Sequence, residues 1–295
     1  MGHKIGLALG GGGARGSYQI GVLKALHDEG ILKSILNISG TSIGAINTLM
    51  VMSNLKYQKM IELWERIDNE QIYGQGLDRF KLDRQGLFSL DDLYQKLSKE
   101  ISLSEIRESK IQGYVTTAKI HKGSIIEQVL IHRMEKEVFH LNDYQDPHRA
   151  VLASASIPVL FGSTEIGDDK YVDGGVVDNC PIQPLLDAGC DIIIAVPLDG
   201  TFHPKKYDKE NILLVNIESK KLFNLIPYDI LDFRPDAVKN KAEYGYQMGK
   251  FMVSKLKELR LLNEKNEFSR PDGFQLIAIS REEEKEIKAE VNSWI

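Results

Sequence analysis

The sequence is poor in cysteine and in long hydrophobic runs, and each shortage excludes a class of protein. Its 295 residues include two cysteines, Cys180 and Cys190, which supply neither a disulfide framework nor a zinc ligand set and suit a reducing compartment. The longest apolar run, from Ile192 to Leu198, is far shorter than the ~20 residues that span a bilayer. We therefore expect a cytoplasmic protein without a metal centre.

Positive charge is not concentrated anywhere along the chain. Lysine and arginine total 37 against 42 acidic residues, which gives a net charge of -5, and no segment forms a long basic tract. The N-terminal apolar run is interrupted by four glycines, and no clear signal-peptide cleavage context follows it. We expect no nucleic-acid partner, because such a partner requires a clustered basic surface.

What the chain does contain is an alternation of short apolar runs with helical periodicity. This alternation is typical of an α/β fold with a mainly parallel sheet. The runs that predict buried strands are residues 5–9, 35–39, 111–118, 192–198, 212–217 and 274–279. The segments that predict helices are residues 17–29, a stretch with Met60, Leu63, Trp64 and Ile67 on one face, and about 236–262.

Two segments depart from this alternation. Residues 69–107 are polar and punctuated by glycine, with a short helix predicted to start near Ser89 and Asp92, and they predict an insertion over one face. Residues 220–233 are apolar and aromatic, and they form either a packed connection or a cap that faces a membrane. No repeat or linker appears, so we predict one domain over residues 1–295, with a motif-bearing core at 5–200 and no motif in 201–295.

Four consecutive glycines lie between the first predicted strand and the helix that follows it. Because such a run is entropically costly, its backbone must be closely approached by another group. The pattern Gly11-x-Gly13-x-x-Gly16 fits a dinucleotide site, but the next strand ends in "LNISGTS" without the carboxylate that such a site needs. We therefore disfavour NAD(P), and the alternative is that the loop N–H groups stabilise a developing oxyanion.

A possible nucleophile follows the second predicted strand, in Gly40-Thr41-Ser42-Ile43-Gly44. The Gly-x-Ser-x-Gly pattern alone is weak, since chance produces it roughly one time in ten in a chain of this length. Helical periodicity follows directly, as a nucleophile elbow requires. Loops after neighbouring parallel strands open at the same sheet edge, so we expect Ser42 beside the glycine loop. An ordinary α/β-hydrolase is disfavoured because that fold places more strands before its serine.

A serine nucleophile needs a base, and none of the seven histidines stands in a catalytic motif. His203, which follows Asp199, is the least implausible triad member, whereas His148 fits a surface or capping position. Asp173 is the other possibility.

The stretch Asp173-Gly174-Gly175 is open to two interpretations. It is either a hairpin turn or a strand end that presents a carboxylate. The better hairpin turn lies upstream at residues 167–169, which makes residues 170–172 the returning strand and leaves Asp173 at its tip. On this second interpretation Asp173 could reach a serine.

These motifs together resemble those of the patatin-like phospholipases. The residues that carry the resemblance are the glycine loop Gly11-Gly12-Gly13-Ala14-Arg15-Gly16, the elbow at 40–44, the segment "AVLASASIPVLF" at 150–161, and Asp173-Gly174-Gly175. The resemblance covers about residues 5–195, with all motifs in family order. Gly10 stands where the plant-type motif has an acidic residue, so the chain looks closer to the short bacterial branch.

The resemblance implies a three-layer α/β/α fold with a mainly parallel central sheet and a lipid acyl hydrolase without a cofactor. Ser42 would attack the ester carbonyl, Asp173 would accept its proton, and the N–H groups of Gly11, Gly12 and Gly13 would hold the oxyanion. The supporting motif residues would be Ala14, Arg15, Gly16, Gly40, Gly44, Gly174 and Gly175.

Two alternatives to a lipid hydrolase remain. One is a small-ester or thioester hydrolase, and the other is a non-catalytic lipid-binding protein on the same fold. We expect a lipid-like ester as partner and transient contact with a membrane surface. The oligomeric state, the headgroup and the acyl chain are left open.

Overall fold

The centre of the fold is one mixed β-sheet. The computed structural model describes residues 3–65, 91–120, 134–158, 161–223, 230, 232–269 and 271–291. Within them the sheet has nine strands: β1 (Ile5–Leu9), β2 (Ile35–Thr41), β3 (Gln112–Ile120), β4 (Glu135–His140), β5 (Thr164–Ile166), β6 (Asp169–Asp173), β7 (Ile192–Val196), β8 (Leu213–Asn216) and β9 (Gln275–Ala278).

The strand order is β5-β6-β3-β2-β1-β7-β8-β9, with β4 paired to β3. From β3 through β9 all neighbours along this order are parallel, whereas β4, β5 and β6 pair antiparallel. All six predicted strands are present, with ends that differ by one or two residues. The predicted neighbourhood of β1 and β2 is also confirmed, so the loops that follow them open at the same edge.

The sheet brings the ends of β2 and β6 together on one side of β3. Strand β2 runs parallel to β3 and ends where Thr41 faces Thr116. Strand β6 runs antiparallel to β3 and ends where Asp173 faces Thr117, the next residue. Because β4 occupies the register 114–119 of β3 as well, it must lie on the other side of β3. Strands β2 and β6 therefore meet end to end, and their final residues are adjacent.

Helices cover both faces of the sheet. The described helices are α1 (Gly16–Asp28), α2 (Ile43–Met52), α3 (Tyr57–Glu65), α4 (Asp91–Glu100), α5 (Leu103–Arg107), α6 (Pro147–Ser154), α7 (Gln183–Asp187), α8 (Lys220–Phe223), α9 (Pro235–Glu258) and α10 (Arg281–Val291). Of the predicted insertion at 69–107, α4 and α5 are described, and residues 69–90, with the predicted start at Ser89, lie outside the described residues. Ile67 of the third helix also lies outside them.

Alternate residues of the central strands face opposite layers. On β1, Leu7 and Leu9 join the larger core, which includes side chains of α1, α2, α3 and α9, while Ala8 joins a second core with Leu185 of α7. The same alternation on β7 places Ile194 in the first core and Ile193 in the second. A central sheet that is buried on both faces is the three-layer arrangement that the sequence predicts.

The apolar segment at residues 220–233 is partly core. Leu222 is buried, and Phe233 is buried with its ring stacked on that of Trp64, 6.1 Å between centroids. The interpretation of these two residues as a membrane-facing rim is therefore wrong, because their side chains are covered by the protein itself. Leu225, Ile226 and Tyr228 lie outside the described residues. Among the described residues, no helix combines the length and the apolar character needed to cross a bilayer.

Candidate active site

Ser42 lies on a sharp turn between β2 and α2. Its backbone has φ 56° and ψ -124°, a conformation that non-glycine residues rarely adopt. The turn is tight because Gly40 and Gly44 face each other: a Cβ on Gly40 would collide with the carbonyl oxygen of Gly44, and a Cβ on Gly44 with that of Leu9. This is the geometry of a nucleophile elbow, with the serine at the N-terminus of a helix.

The side chain of Ser42 lies beside the carboxyl group of Asp173 and acts on its pKa as a hydrogen-bond donor. Its Oδ1 also accepts the N–H of Gly175 at 2.7 Å. Both residues are only 6% exposed. A Cβ on Gly174 would collide with the carbonyl oxygen of Thr116, so glycine is required where this loop crosses β3. The sheet topology thus joins two motifs that are 131 residues apart in sequence (173 - 42 = 131).

Burial raises the pKa of Asp173 from 3.8 to about 6. The cause is desolvation, which disfavours the charged carboxylate, and the hydrogen bonds from Ser42 and Gly175 offset part of this effect. A carboxylate with a raised pKa is a stronger base than an ordinary aspartate. This brings Asp173 close to the basicity of imidazole, for which the reference pKa is about 6.5.

Two serines of the segment at 150–161 hold the backbones of Ser42 and Asp173. Ser154 Oγ accepts the N–H of Ser42 at 2.9 Å and donates to the carbonyl of Thr116 at 2.6 Å. The carbonyl of Ser156 accepts the N–H of Asp173 at 2.8 Å. The end of α6 therefore fixes both members of the pair from one side.

The glycine loop lies against Ser42, but its N–H groups are not equivalent. A Cβ on Gly11 would lie 2.9 Å from Ser42 Cβ, so the loop backbone touches the serine only because Gly11 has no side chain. The N–H of Gly11 donates to the carbonyl of Asn179 at 2.9 Å. In the part of the chain that the structure describes, the N–H groups of Gly12 and Gly13 donate no hydrogen bond. Of the three predicted donors, the N–H groups of Gly12 and Gly13 are thus the two without an acceptor among the described residues.

Arg15 and its neighbours support the loop. The Arg15 side chain is buried, and its guanidinium donates to the carbonyl of Leu198 at 3.2 Å. Ala14 is fully buried, and a Cβ on Gly16 would lie 2.8 Å from the Trp64 ring. The Arg15 side chain is turned into the protein, where it fixes the loop.

A buried polar network also fixes the loop from the side of the helices. Gln19 on α1 donates to the carbonyls of Gly10 and Val196, at 2.8 and 3.0 Å. Asn47 on α2 donates to Gln19 and accepts the indole N–H of Trp64. Because every one of these groups is buried, breaking one contact would leave polar atoms without partners. Neither Gln19 nor Asn47 stands in a sequence motif, so neither was predicted to belong to the site.

The described histidines do not contact the Ser42–Asp173 pair. His148 is buried on α6, where its Nε2 lies 2.9 Å from the carbonyl oxygen of Ile101, and burial lowers its pKa. His203 is exposed and precedes a short helical turn at Pro204–Tyr207. His121 and His132 lie outside the described residues. Within the described part of the chain, the triad alternative through His203 or His148 therefore has no geometry to support it.

Asn179 belongs to this site, although no motif in the sequence singles it out. Its Nδ2 lies 3.1 Å from the carbonyl oxygen of Gly11 and 2.6 Å from Asp199 Oδ2. A Cβ on Gly175 would lie 2.7 Å from its Oδ1. Asn179 therefore touches the glycine loop and the Asp173 loop at once. The only sequence signal was its place six residues after Asp173.

Comparison with known proteins gives one matching family, curated relatives from fungi and a similar solved structure. The model of the family described as patatin-like phospholipase matches residues 7–186. Lysophospholipase nte1 of Aspergillus terreus is 29% identical over 209 residues, which cover 66% of this chain and 12% of that protein. Lysophospholipase NTE1 of Coccidioides immitis is 30% identical over 199 residues, with 66% of this chain and 11% of that protein covered. The chain thus matches about an eighth of the length of these relatives.

Among solved structures, VipD from Legionella pneumophila superposes with a TM-score of 0.50 and 15% identity. The superposition covers 86% of this chain and 67% of that chain. At this identity the likeness concerns the fold alone. The curated relatives named above are fungal, so the bacterial branch stays a prediction.

Proposed function

This chain belongs to the patatin-like phospholipase family, and from that membership together with the site geometry we propose that it is a lipid acyl hydrolase with a Ser-Asp dyad. The observation that carries the proposal is that Ser42, at a strained elbow, lies beside the buried carboxyl group of Asp173. The fungal relatives are named lysophospholipases, which supports a lipid ester as the substrate.

In the first half of the reaction, Asp173 accepts the Oγ–H proton while Ser42 Oγ forms a bond to the acyl carbonyl carbon. The carbonyl π electrons move to oxygen, and the N–H groups of Gly12 and Gly13 stabilise that negative charge. The positive end of the α2 dipole lies at Ser42 and acts in the same direction. Collapse of the intermediate breaks the ester C–O bond, and the leaving alkoxide takes the proton from Asp173.

In the second half, Asp173 accepts a proton from water, whose oxygen attacks the acyl-serine. The same N–H groups hold the second oxyanion, and Ser42 regains its proton as the fatty acid leaves. Neither half requires an imidazole, because the raised pKa of Asp173 gives it enough basicity for both proton transfers. The net reaction consumes one water and releases a carboxylic acid and an alcohol.

The test is labelling with a fluorophosphonate probe, read by peptide mass spectrometry, alongside hydrolysis of a lysophospholipid. We expect one label per chain at Ser42, and loss of both labelling and hydrolysis in Ser42→Ala. Ser53→Ala is the matched control, because Ser53 lies at the other end of α2 and its Oγ donates to the carbonyl of Leu49. Hydrolysis that persists in folded Ser42→Ala would overturn the proposal, and absence of labelling and hydrolysis in the wild type would favour the non-catalytic alternative.

A further inference from the structure

Asn179 binds both polar groups of Gly11. Its backbone carbonyl oxygen accepts the Gly11 N–H at 2.9 Å, and its side-chain Nδ2 donates to the Gly11 carbonyl oxygen at 3.1 Å. Gly11 is the loop residue in contact with Ser42. One residue from the segment after Asp173 thus sets the backbone orientation of the loop at the point where it meets the nucleophile.

The contact with the Gly11 carbonyl has a consequence for the next N–H group. The Gly11 carbonyl and the Gly12 N–H belong to the same planar trans peptide unit, so they point in opposite directions. If the carbonyl is held toward Asn179, the Gly12 N–H must point away from it. Glycine on both sides of this peptide makes rotation easy when nothing holds it. The Asn179 amide therefore decides where the Gly12 N–H points.

The Asn179 amide is itself held by Asp199. The second Nδ2 hydrogen donates to Asp199 Oδ2 at 2.6 Å, so the amide is held with its nitrogen between the Gly11 carbonyl and Asp199 and its oxygen packed against the backbones of Gly11 and Gly175. Asp199 in turn accepts from the N–H and Oγ1 of Thr201 at 3.0 and 2.7 Å on its other oxygen. Hydrogen bonds that involve a charged group are stronger than neutral ones, so this carboxylate is an effective orienting partner.

We propose that Asn179, oriented by Asp199, is a positioning residue that holds the Gly12 N–H in place to stabilise the oxyanion. This inference rests on the proposed function. It assigns to residues outside the three motifs a role in the transition state and not in substrate binding. Loss of the Asn179 donor should therefore lower kcat and leave KM nearly unchanged.

The main variant is Asn179→Asp, which keeps the side-chain volume and removes the N–H donor. A carboxylate there would face the Gly11 carbonyl and release that peptide, so we expect a loss of about 100-fold in kcat, the scale of removing one oxyanion donor. The control is the exchanged pair Asn179→Asp with Asp199→Asn. It restores a hydrogen bond between positions 179 and 199, and it still offers no donor to Gly11.

The exchanged pair distinguishes an effect on the position of the Gly12 N–H from an effect on folding stability. We expect its thermal midpoint to return toward that of the wild type while kcat stays about 100-fold low. Recovery of kcat in the exchanged pair would overturn the inference, because the contact between positions 179 and 199 would then suffice. A folded Asn179→Asp protein with wild-type kcat would overturn it as well.

A backbone substitution tests the route through Gly12. Replacing the Gly11–Gly12 amide by an ester removes the Gly12 N–H, and adding Asn179→Asp to that protein should cause little further loss, since both changes remove the same interaction. If Asn179→Asp lowered kcat as much in the ester-substituted protein as in the wild type, the two changes would act independently. That result would overturn the inference that Asn179 acts through the Gly12 N–H. Failure of the proposed function is a separate result: there, Ser42→Ala would retain hydrolysis whatever the Asn179 variants do.

Discussion

At Asp173 the proposed mechanism requires the ionised carboxylate, because only that form can accept the Ser42 proton. Its pKa is raised to about 6 by burial. We therefore expect kcat/KM to fall tenfold per pH unit as the pH drops below about 6, and to reach a plateau above it, since kcat/KM reports ionisations of the free enzyme. The measurement is a pH profile on a neutral ester substrate. A profile that stays flat from pH 7 down to pH 4.5 would contradict a catalytic Asp173.

The same burial makes ionised Asp173 costly for stability. The folded pKa of about 6 lies above the reference value of 3.8, so between these values the native state binds more protons than the unfolded state. The free energy of unfolding consequently falls as the pH rises through this range, by up to about 3 kcal/mol. We expect Asp173→Asn to be more stable than the wild type at pH 8 and equal to it near pH 3.5. Urea titrations at the two pH values measure this.

The dyad predicts a sharp contrast between two kinds of variant. Ser42→Ala and Asp173→Asn should each reduce turnover to near background, and the double variant should be hardly worse, because the two residues act as a unit. His148→Gln and His203→Gln should keep measurable activity, and any loss in His148→Gln should follow its stability, since His148 is buried. A folded histidine variant as inactive as Ser42→Ala would replace the dyad by a triad.

At the scale of residues, the sequence predicted the motif residues. It did not predict that, among the described residues, the N–H of Gly11 is occupied while those of Gly12 and Gly13 are not. Ser42 and Asp173 were found because each lies in a short local pattern. That the Gly11 N–H is occupied depends on Asn179, 168 residues away in sequence (179 - 11 = 168). No local pattern encodes such a contact, since it follows from how β1 and β6 deliver their loops to the same sheet edge.

Among the elements, the end of α6 holds the Ser42 backbone through a single hydroxyl group. Ser154→Ala would leave the buried N–H of Ser42 and the carbonyl of Thr116 without their partner. We expect a loss of about 1–3 kcal/mol in unfolding free energy, with a lower kcat per active site titrated by fluorophosphonate. Ser53→Ala is again the control. Unchanged kcat and stability in Ser154→Ala would mean that the strained turn at Ser42 is held by other contacts.

Helices α1 and α9 approach closely because each has glycine at the crossing. A Cβ on Gly21 would collide with the carbonyl oxygen of Ala242, and a Cβ on Gly245 with that of Tyr18. Glycine to alanine inside a helix ordinarily stabilises by about 0.5–1 kcal/mol. Here we expect Gly21→Ala to destabilise by about 1–3 kcal/mol, the usual cost of overpacking.

The control for this prediction is Ser254→Ala, at an exposed position of α9, which should change the unfolding free energy by less than about 0.5 kcal/mol. Chemical denaturation of both variants measures the difference. A Gly21→Ala protein that is more stable than the wild type would mean that the two helices can separate without cost.

Among the strands, β4 and β5 at the edge of the sheet are the two whose sequence does not read as a strand. Strand β4 has one buried residue, Phe139, among six, and β5 is three residues long with none fully buried. Neither produces the apolar run or the strict alternation on which strand prediction rests. The central strands were predicted because both of their faces are buried, which requires nearly continuous apolar sequence. The hairpin turn at 167–169 and the returning strand at 170–172 were predicted and are confirmed by β6, but the pairing of β6 with β3, which brings β6 to the end of β2, was not predicted.

At the scale of the whole molecule, the physical state of the substrate separates the two candidate activities. A lipid hydrolase acts on aggregated lipid, whereas a small-ester hydrolase acts on a dissolved ester. Leu222 and Phe233 belong to the core, so they provide no membrane contact. If the substrate is lipid, as the proposed function holds, we expect the rate with a lysophospholipid to rise steeply where the substrate begins to form micelles. A dissolved short-chain ester should show simple saturation, because it meets the site without a surface.

The rate should therefore be measured across the critical micelle concentration, with Ser42→Ala as the blank for spontaneous hydrolysis. Binding to sucrose-loaded vesicles by sedimentation provides an independent readout, and binding should be preserved in Ser42→Ala because the serine acts after the surface is reached. A smooth saturation curve through the micelle transition, combined with a higher kcat/KM for the short ester, would favour the small-ester hydrolase. Loss of vesicle binding in Ser42→Ala would instead tie surface contact to the reactive centre, since the hydroxyl is the only group removed.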